Sequence, residues 1–85
     1  MFSARQQALR CMLYKTHDHD VIPEVIPREK LKEAHRFLCE NYESQSFQRF
    51  EKIMDGEIEP TDEEVSAKLA VYGWYASPWY SGRYD

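Results

Sequence analysis

Glycine is scarce in this chain, with three among 85 residues, Gly56, Gly73 and Gly82. Without a glycine cluster, no loop can turn consecutive backbone N–H groups onto a phosphate, so a nucleotide-binding loop of the Gly-rich kind is excluded. Long apolar runs are missing too: the longest hold three or four residues, against the roughly 20 that a membrane-spanning helix needs. Basic residues are the minority, 11 Lys and Arg against 15 Asp and Glu, for a net charge of -4. Nucleic-acid affinity rests on clustered cations that displace counterions, so this balance argues against direct binding to DNA or RNA. Cysteine is limited to Cys11 and Cys39. Two thiols make no disulfide framework, and both are expected to be free, small helix residues. The opening Met1-Phe2-Ser3-Ala4-Arg5 lacks the basic-then-apolar layout of a secretory signal, and the chain is expected to stay in the cytosol.

What remains is the composition of a folded domain, 42% hydrophobic and 31% charged. That is well away from the low-hydrophobicity regime of disorder. The length allows one modest core, so residues 1–85 are read as a single domain. Helical periodicity then recurs four times. Ser3 precedes Gln6 in the layout of a capping box, and Leu9, Met12 and Leu13 follow at helical spacing, predicting a helix from about Ala4 to Thr16. The tandem Val21-Ile22-Pro23-Glu24-Val25-Ile26-Pro27 reads as an extended linker, because proline fixes φ, lacks a donor and pushes its predecessor to extended geometry. Its Val and Ile side chains are expected to cover one edge of the helices. A second helix is predicted from about Arg28 to Tyr42, carrying Leu31, Ala34, Leu38 and Tyr42 on one stripe. Phe47, Phe50, Ile53 and Met54 mark a third, about 46–55, closed by Gly56. A second capping box at Thr61 and Glu64 opens a fourth, about 62–73, with Val65, Leu69 and Tyr72 inward. No segment alternates as a half-buried strand does. The expected fold is all-α: a small compact bundle of four short helices with an extended Pro-containing linker and an aromatic C-terminal tail.

That tail is the sharpest feature. Half of all Phe, Tyr and Trp residues, namely Tyr72, Trp74, Tyr75, Trp79, Tyr80 and Tyr84, lie between positions 72 and 85, with Arg83 among them. The end of a chain usually frays for want of apolar area, so this density implies docking, either onto the protein's own small core or onto a partner. Trp, Tyr and Arg dominate the energetics of protein interfaces. Base stacking is the weaker option, since aromatic platforms for single strands come with a positive groove.

Two further groupings carry possible chemistry. His17, His19, His35 and Cys39 have the ligand types for tetrahedral zinc, with His35 and Cys39 four apart on one helix face and His17 and His19 on the preceding loop. Their spacing matches no established zinc motif, and the plain alternative is solvated loop histidines beside a cysteine at the edge of the core. Glu51, Asp55, Glu57, Glu59, Asp62, Glu63 and Glu64 form an acidic field around the single Lys52. Such a field could steer a basic partner or imitate the phosphates of a nucleic acid; the plain alternative is a solvated helix end followed by an acidic helix start. The concentration of basic residues in the first half of the chain makes the molecule charge-asymmetric, which would support homo-oligomers as readily as foreign binding.

No oxyanion-hole element or water-excluding pocket is legible, and neither catalysis nor a cofactor is expected. The expected function is binding to another protein, as an inhibitor or adaptor, through Tyr72, Trp74, Tyr75, Trp79, Tyr80, Arg83 and Tyr84 together with the acidic Glu57, Glu59, Asp62 and Glu63. Small accessory proteins of this size and composition are common in bacteriophages and mobile elements, an analogy that rests on no motif. A zinc-stabilised module and an acidic nucleic-acid mimic are the alternatives.

Overall fold

Ser3 starts the first helix as its sequence position requires. Its hydroxyl accepts the Gln6 N–H at 3.2 Å, and the Gln6 carboxamide accepts the Ser3 N–H at 2.8 Å. These reciprocal bonds close a capping box and satisfy donors that a helix start leaves open. In the computed structural model, which describes residues 2–41 and 45–73, the helix that follows is α1, Ala4–Tyr14. It stops at Lys15, which turns into the left-handed region (φ 50°) and sends its N–H to the carbonyls of Cys11 and Met12. A 3₁₀ turn, His19–Val21, then leads into the proline linker. The remaining elements are α2 (Arg28–Glu40), α3 (Phe47–Met54) and α4 (Asp62–Tyr72). The fold is all-helical, with no strand among the described residues.

α1 is the central element. It runs against α3, α4 and the 3₁₀ turn, while α2 closes the other side against α3 and α4. Burial therefore reaches most of the α1 circumference: Ala8, Leu9, Cys11, Met12 and Leu13 join Leu31, Ala34 and Leu38 of α2, Phe50, Ile53 and Met54 of α3, and Val65 and Leu69 of α4. A helix buried on nearly all sides must also house its polar residues, and Gln6 and Arg10 lie inside with the rest. The Gln6 carboxamide donates to the Ile58 carbonyl at 2.9 Å. Arg10 donates to the Met54 carbonyl at 2.7 Å, to the Glu24 carbonyl at 3.2 Å and to that of Pro23. One guanidinium thus serves the last turn of α3, where the helix dipole favours a cation, and ties the proline linker to the core. The Phe2 ring covers it at 3.8 Å.

The linker's tandem repeat divides by residue type. Ile22 and Ile26 are buried, whereas Val21 and Val25 face solvent at 65% and 76% exposure. The expectation that both residue types cover the helices holds for the isoleucines and fails for the valines, because two residues four apart in this linker occupy equivalent positions and their neighbours point away. Gly56, φ 87°, follows α3 where a left-handed residue was expected, and a Cβ there would stand 3.0 Å from the Phe2 ring. At α4 the second capping box forms, with Thr61 Oγ1 accepting the Glu64 N–H at 3.1 Å and Glu64 accepting the Thr61 N–H at 2.9 Å. Gly73, φ 67°, closes that helix. Each helix ends within a residue or two of its predicted limit.

Candidate functional site

A concavity opens where the end of α1, one face of α2 and the end of α4 meet. Lys30, Glu33, Ala34 and Phe37 stand at helical spacing along α2 and form one wall; Leu13, Tyr14 and Lys15 form the second, and Tyr72 closes the end. The cavity holds about 430 Å³ and is half open to solvent. Its floor is apolar, since Leu13 and Ala34 belong to the core. Its rim is aromatic: Phe37 stands edge-on to Tyr72, ring centres 4.9 Å apart, with Phe37 left 40% exposed. Phe37 and Tyr72 thus form a contiguous aromatic edge beside an apolar concave floor, the arrangement in which side chains of a ligand or partner can be held.

Charge sits at the edges of this groove. The Lys30 ammonium lies 4.9 Å from the centre of the Tyr14 ring, a cation–π contact that leaves its charge beside the opening. Lys15 is exposed next to it. Glu33 faces Tyr72 from α2. Burial, reinforced by the negative charge of Glu33, pushes the Tyr72 phenol up to about 12, so the ring is neutral at all ordinary pH. Among the described residues that line the groove, no nucleophile is paired with a base. The groove can take up aromatic or aliphatic side chains and place a carboxylate against Lys15 or Lys30.

The acidic field is threaded by arginines. Arg5 Nε meets Asp62 at 2.8 Å and its Nη1 meets Glu59 at 3.2 Å; both carboxylates raise the guanidinium's affinity for its proton. Arg49 grips Glu64 with two bonds of 2.9 and 2.8 Å. That fork, stronger than the opposing effect of burial, holds the Glu64 carboxyl down to about 2. Arg28 reaches Glu51 at 2.9 Å. These arginines come from α1, α3 and α2, so much of the acidic run is compensated within the fold, while Glu57 and Glu63 remain exposed. The outward field is correspondingly weaker than the bare sequence implies.

His35 and Cys39 do lie together, Sγ 3.6 Å from Nε2. The imidazole, however, is already placed. Nε2 stands 2.6 Å from the Gln45 carbonyl, which can only accept, so Nε2 carries the proton. The ring packs edge-on against Phe47 at 5.4 Å. His17 is exposed on the loop after α1, and the His19 side chain is outside the described residues. Among the described residues no three His, Cys, Asp or Glu side chains converge as metal ligands would. Cys11 is buried, which pushes its thiol up to about 11 and makes it inert; Cys39 is exposed and also free.

Tyr72, the described member of the aromatic group, lines the groove. Trp74, Tyr75, Trp79, Tyr80, Arg83 and Tyr84 lie outside the described residues. Sequence reasoning missed Phe37, Lys30 and Tyr14 as site residues. The signal was faint: Phe37 is a large apolar residue one position off the Leu31-Ala34-Leu38 stripe. No helix among the described residues is long and apolar enough to cross a membrane. Set against protein-family models, curated proteins and solved structures, the chain matches none.

Proposed function

We propose that this chain is a protein-binding module whose contact surface is the aromatic groove between α1, α2 and α4, extended in sequence by Trp74, Tyr75, Trp79 and Tyr80. The observation that carries this reading is Phe37, an aromatic side chain 40% exposed on the rim of a half-open apolar cavity. Exposing such a ring is unfavourable for the isolated fold, and a partner that covers it recovers the burial, about 25 cal/mol for each Å² removed from water. Lys15 and Lys30 at the edge favour a partner segment that combines aromatic or aliphatic side chains with a carboxylate. With no nucleophile and base paired among the groove's described residues, the module acts by occupying a surface of its partner or by bridging two partners, that is, as an inhibitor or an adaptor.

Affinity capture tests this reading. One protein retained in stoichiometric amount by the wild-type chain, and lost by a folded Phe37→Ser variant, is the expected outcome. Equal retention by both rejects the groove as the contact surface.

A further inference from the structure

Along its α2 wall the groove changes character in a fixed order: Lys30 is a cation, Glu33 an anion, Ala34 part of the apolar floor and Phe37 the aromatic rim. We propose that the partner segment this groove takes is an amphipathic α-helix laid along α2, with an acid, a base and two apolar anchors at i, i+3, i+4 and i+7 of one face. The inference rests on the binding proposed above, in which the partner covers Phe37, and adds what kind of segment does so.

The wall decides the secondary structure of its occupant. Lys30, Glu33, Ala34 and Phe37 all belong to α2, and the interior N–H and C=O groups of a helix are spent on its own hydrogen bonds. An extended segment would find no ladder to join there and would leave its backbone groups against an apolar floor, whereas a helix satisfies its own. The spacing agrees. Lys30 and Phe37 lie two helical turns apart, a rise of about 10 Å that a second helix alongside repeats at the same positions. An acid that meets Lys30 therefore brings the apolar residue seven positions away against Phe37 and Tyr72.

Charge sets the register. Arg5, Arg28 and Arg49 each hold a carboxylate of this chain, whereas Lys15 and Lys30 form no ion pair among the described residues. The Lys30 ammonium rests over the Tyr14 ring beside the opening, where an arriving carboxylate would meet it. One turn further on, Glu33 is exposed and calls for a base. A helix displaced by one turn would set its acid against Glu33, so the wall rejects the wrong alignment as well as favouring the right one. The other cavity, of about 270 Å³, has no such alternation: Glu24 and Asp55 line it, with no Lys or Arg among its described residues.

The probes are two synthetic helices of about 18 residues, based on alanine and glutamine with blocked ends. One carries Glu, Lys, Leu and Leu at i, i+3, i+4 and i+7, and the other the reverse order, Leu, Leu, Lys and Glu, because either direction along α2 matches the wall. Binding is read from the methyl shifts of Leu13 and Ala34 in the 85-residue chain. One of the two peptides is expected to move those methyls saturably. Exchanging its Glu and Lys should weaken it about tenfold, and the doubly reversed protein, Lys30→Glu with Glu33→Lys and equal helical circular dichroism, should restore the exchanged peptide. A proline at its centre should abolish binding. The proposal is overturned if neither order binds, if the proline peptide binds as tightly, or if the wild-type chain binds the exchanged peptide equally well. Capture with Phe37→Ser is a separate result: a partner lost by that variant while neither probe binds would keep the groove and reject the helix.

Discussion

At the scale of single residues the fold depends on polar groups that its sequence makes look superficial. Arg10 is buried and bonded to three carbonyls from two segments, although burial works against its charge. Removing the side chain leaves those carbonyls without their donor, at about 1–3 kcal/mol for each group that stays dry. Arg10→Ala is therefore expected to destabilise by about 3 kcal/mol or more in chemical denaturation. Arg10→Lys should recover only part of that loss, because an ammonium cannot span the separate acceptors. A loss below about 0.5 kcal/mol in Arg10→Ala would show that the carbonyls find water instead. Glu64 gives a prediction in pH. Its folded value of about 2 lies below the ordinary 4.5. A depressed carboxyl stabilises the fold fully above its unfolded value and ceases to do so as pH falls through the folded one. Stability should thus decline between about pH 4.5 and 2, and in Glu64→Gln that part of the pH profile should be flatter. Unchanged profiles in the two proteins would remove the Arg49 pair as the cause.

Among the elements, the proline linker separates two readings of one repeat. Ile26 is 2% exposed and Val25 76% exposed, in adjacent positions of the same Val-Ile-Pro unit. Ile26→Ala should cost about 2–4 kcal/mol, as deletions in a packed core do. Val25→Ala should stay within about 0.5 kcal/mol. Similar losses at both positions would mean that the linker packs through its valines too. The helices themselves were legible because their signals are local: Ser3 with Gln6 and Thr61 with Glu64 mark starts, Gly56 and Gly73 mark ends, and the stripes of α2 and α3 point inward as their spacing demands. The central place of α1 was not legible. It depends on α3 and α4 arriving from far along the chain to bury Gln6 and Arg10, residues whose composition alone suggests a solvated face.

For the whole molecule, the proposed binding rests on what the packing leaves uncovered. The acidic run that dominates the net charge is largely answered by Arg5, Arg28 and Arg49, contacts between elements that no sequence spacing announces. The groove was hidden for the same reason, since Leu13, Phe37 and Tyr72 come from three helices. Tyr72 alone was singled out beforehand, by its place at the start of the aromatic segment. The measurement that tests the central claim most directly is affinity capture with three versions of the 85-residue chain: the wild type, Phe37→Ser in the groove, and Val25→Ser, which alters a more exposed apolar residue that does not line the groove. Binding through the groove predicts one stoichiometric partner held by the wild type and by Val25→Ser and lost by Phe37→Ser, with all three equally helical. Retention by Phe37→Ser, or loss by Val25→Ser alone, would contradict it.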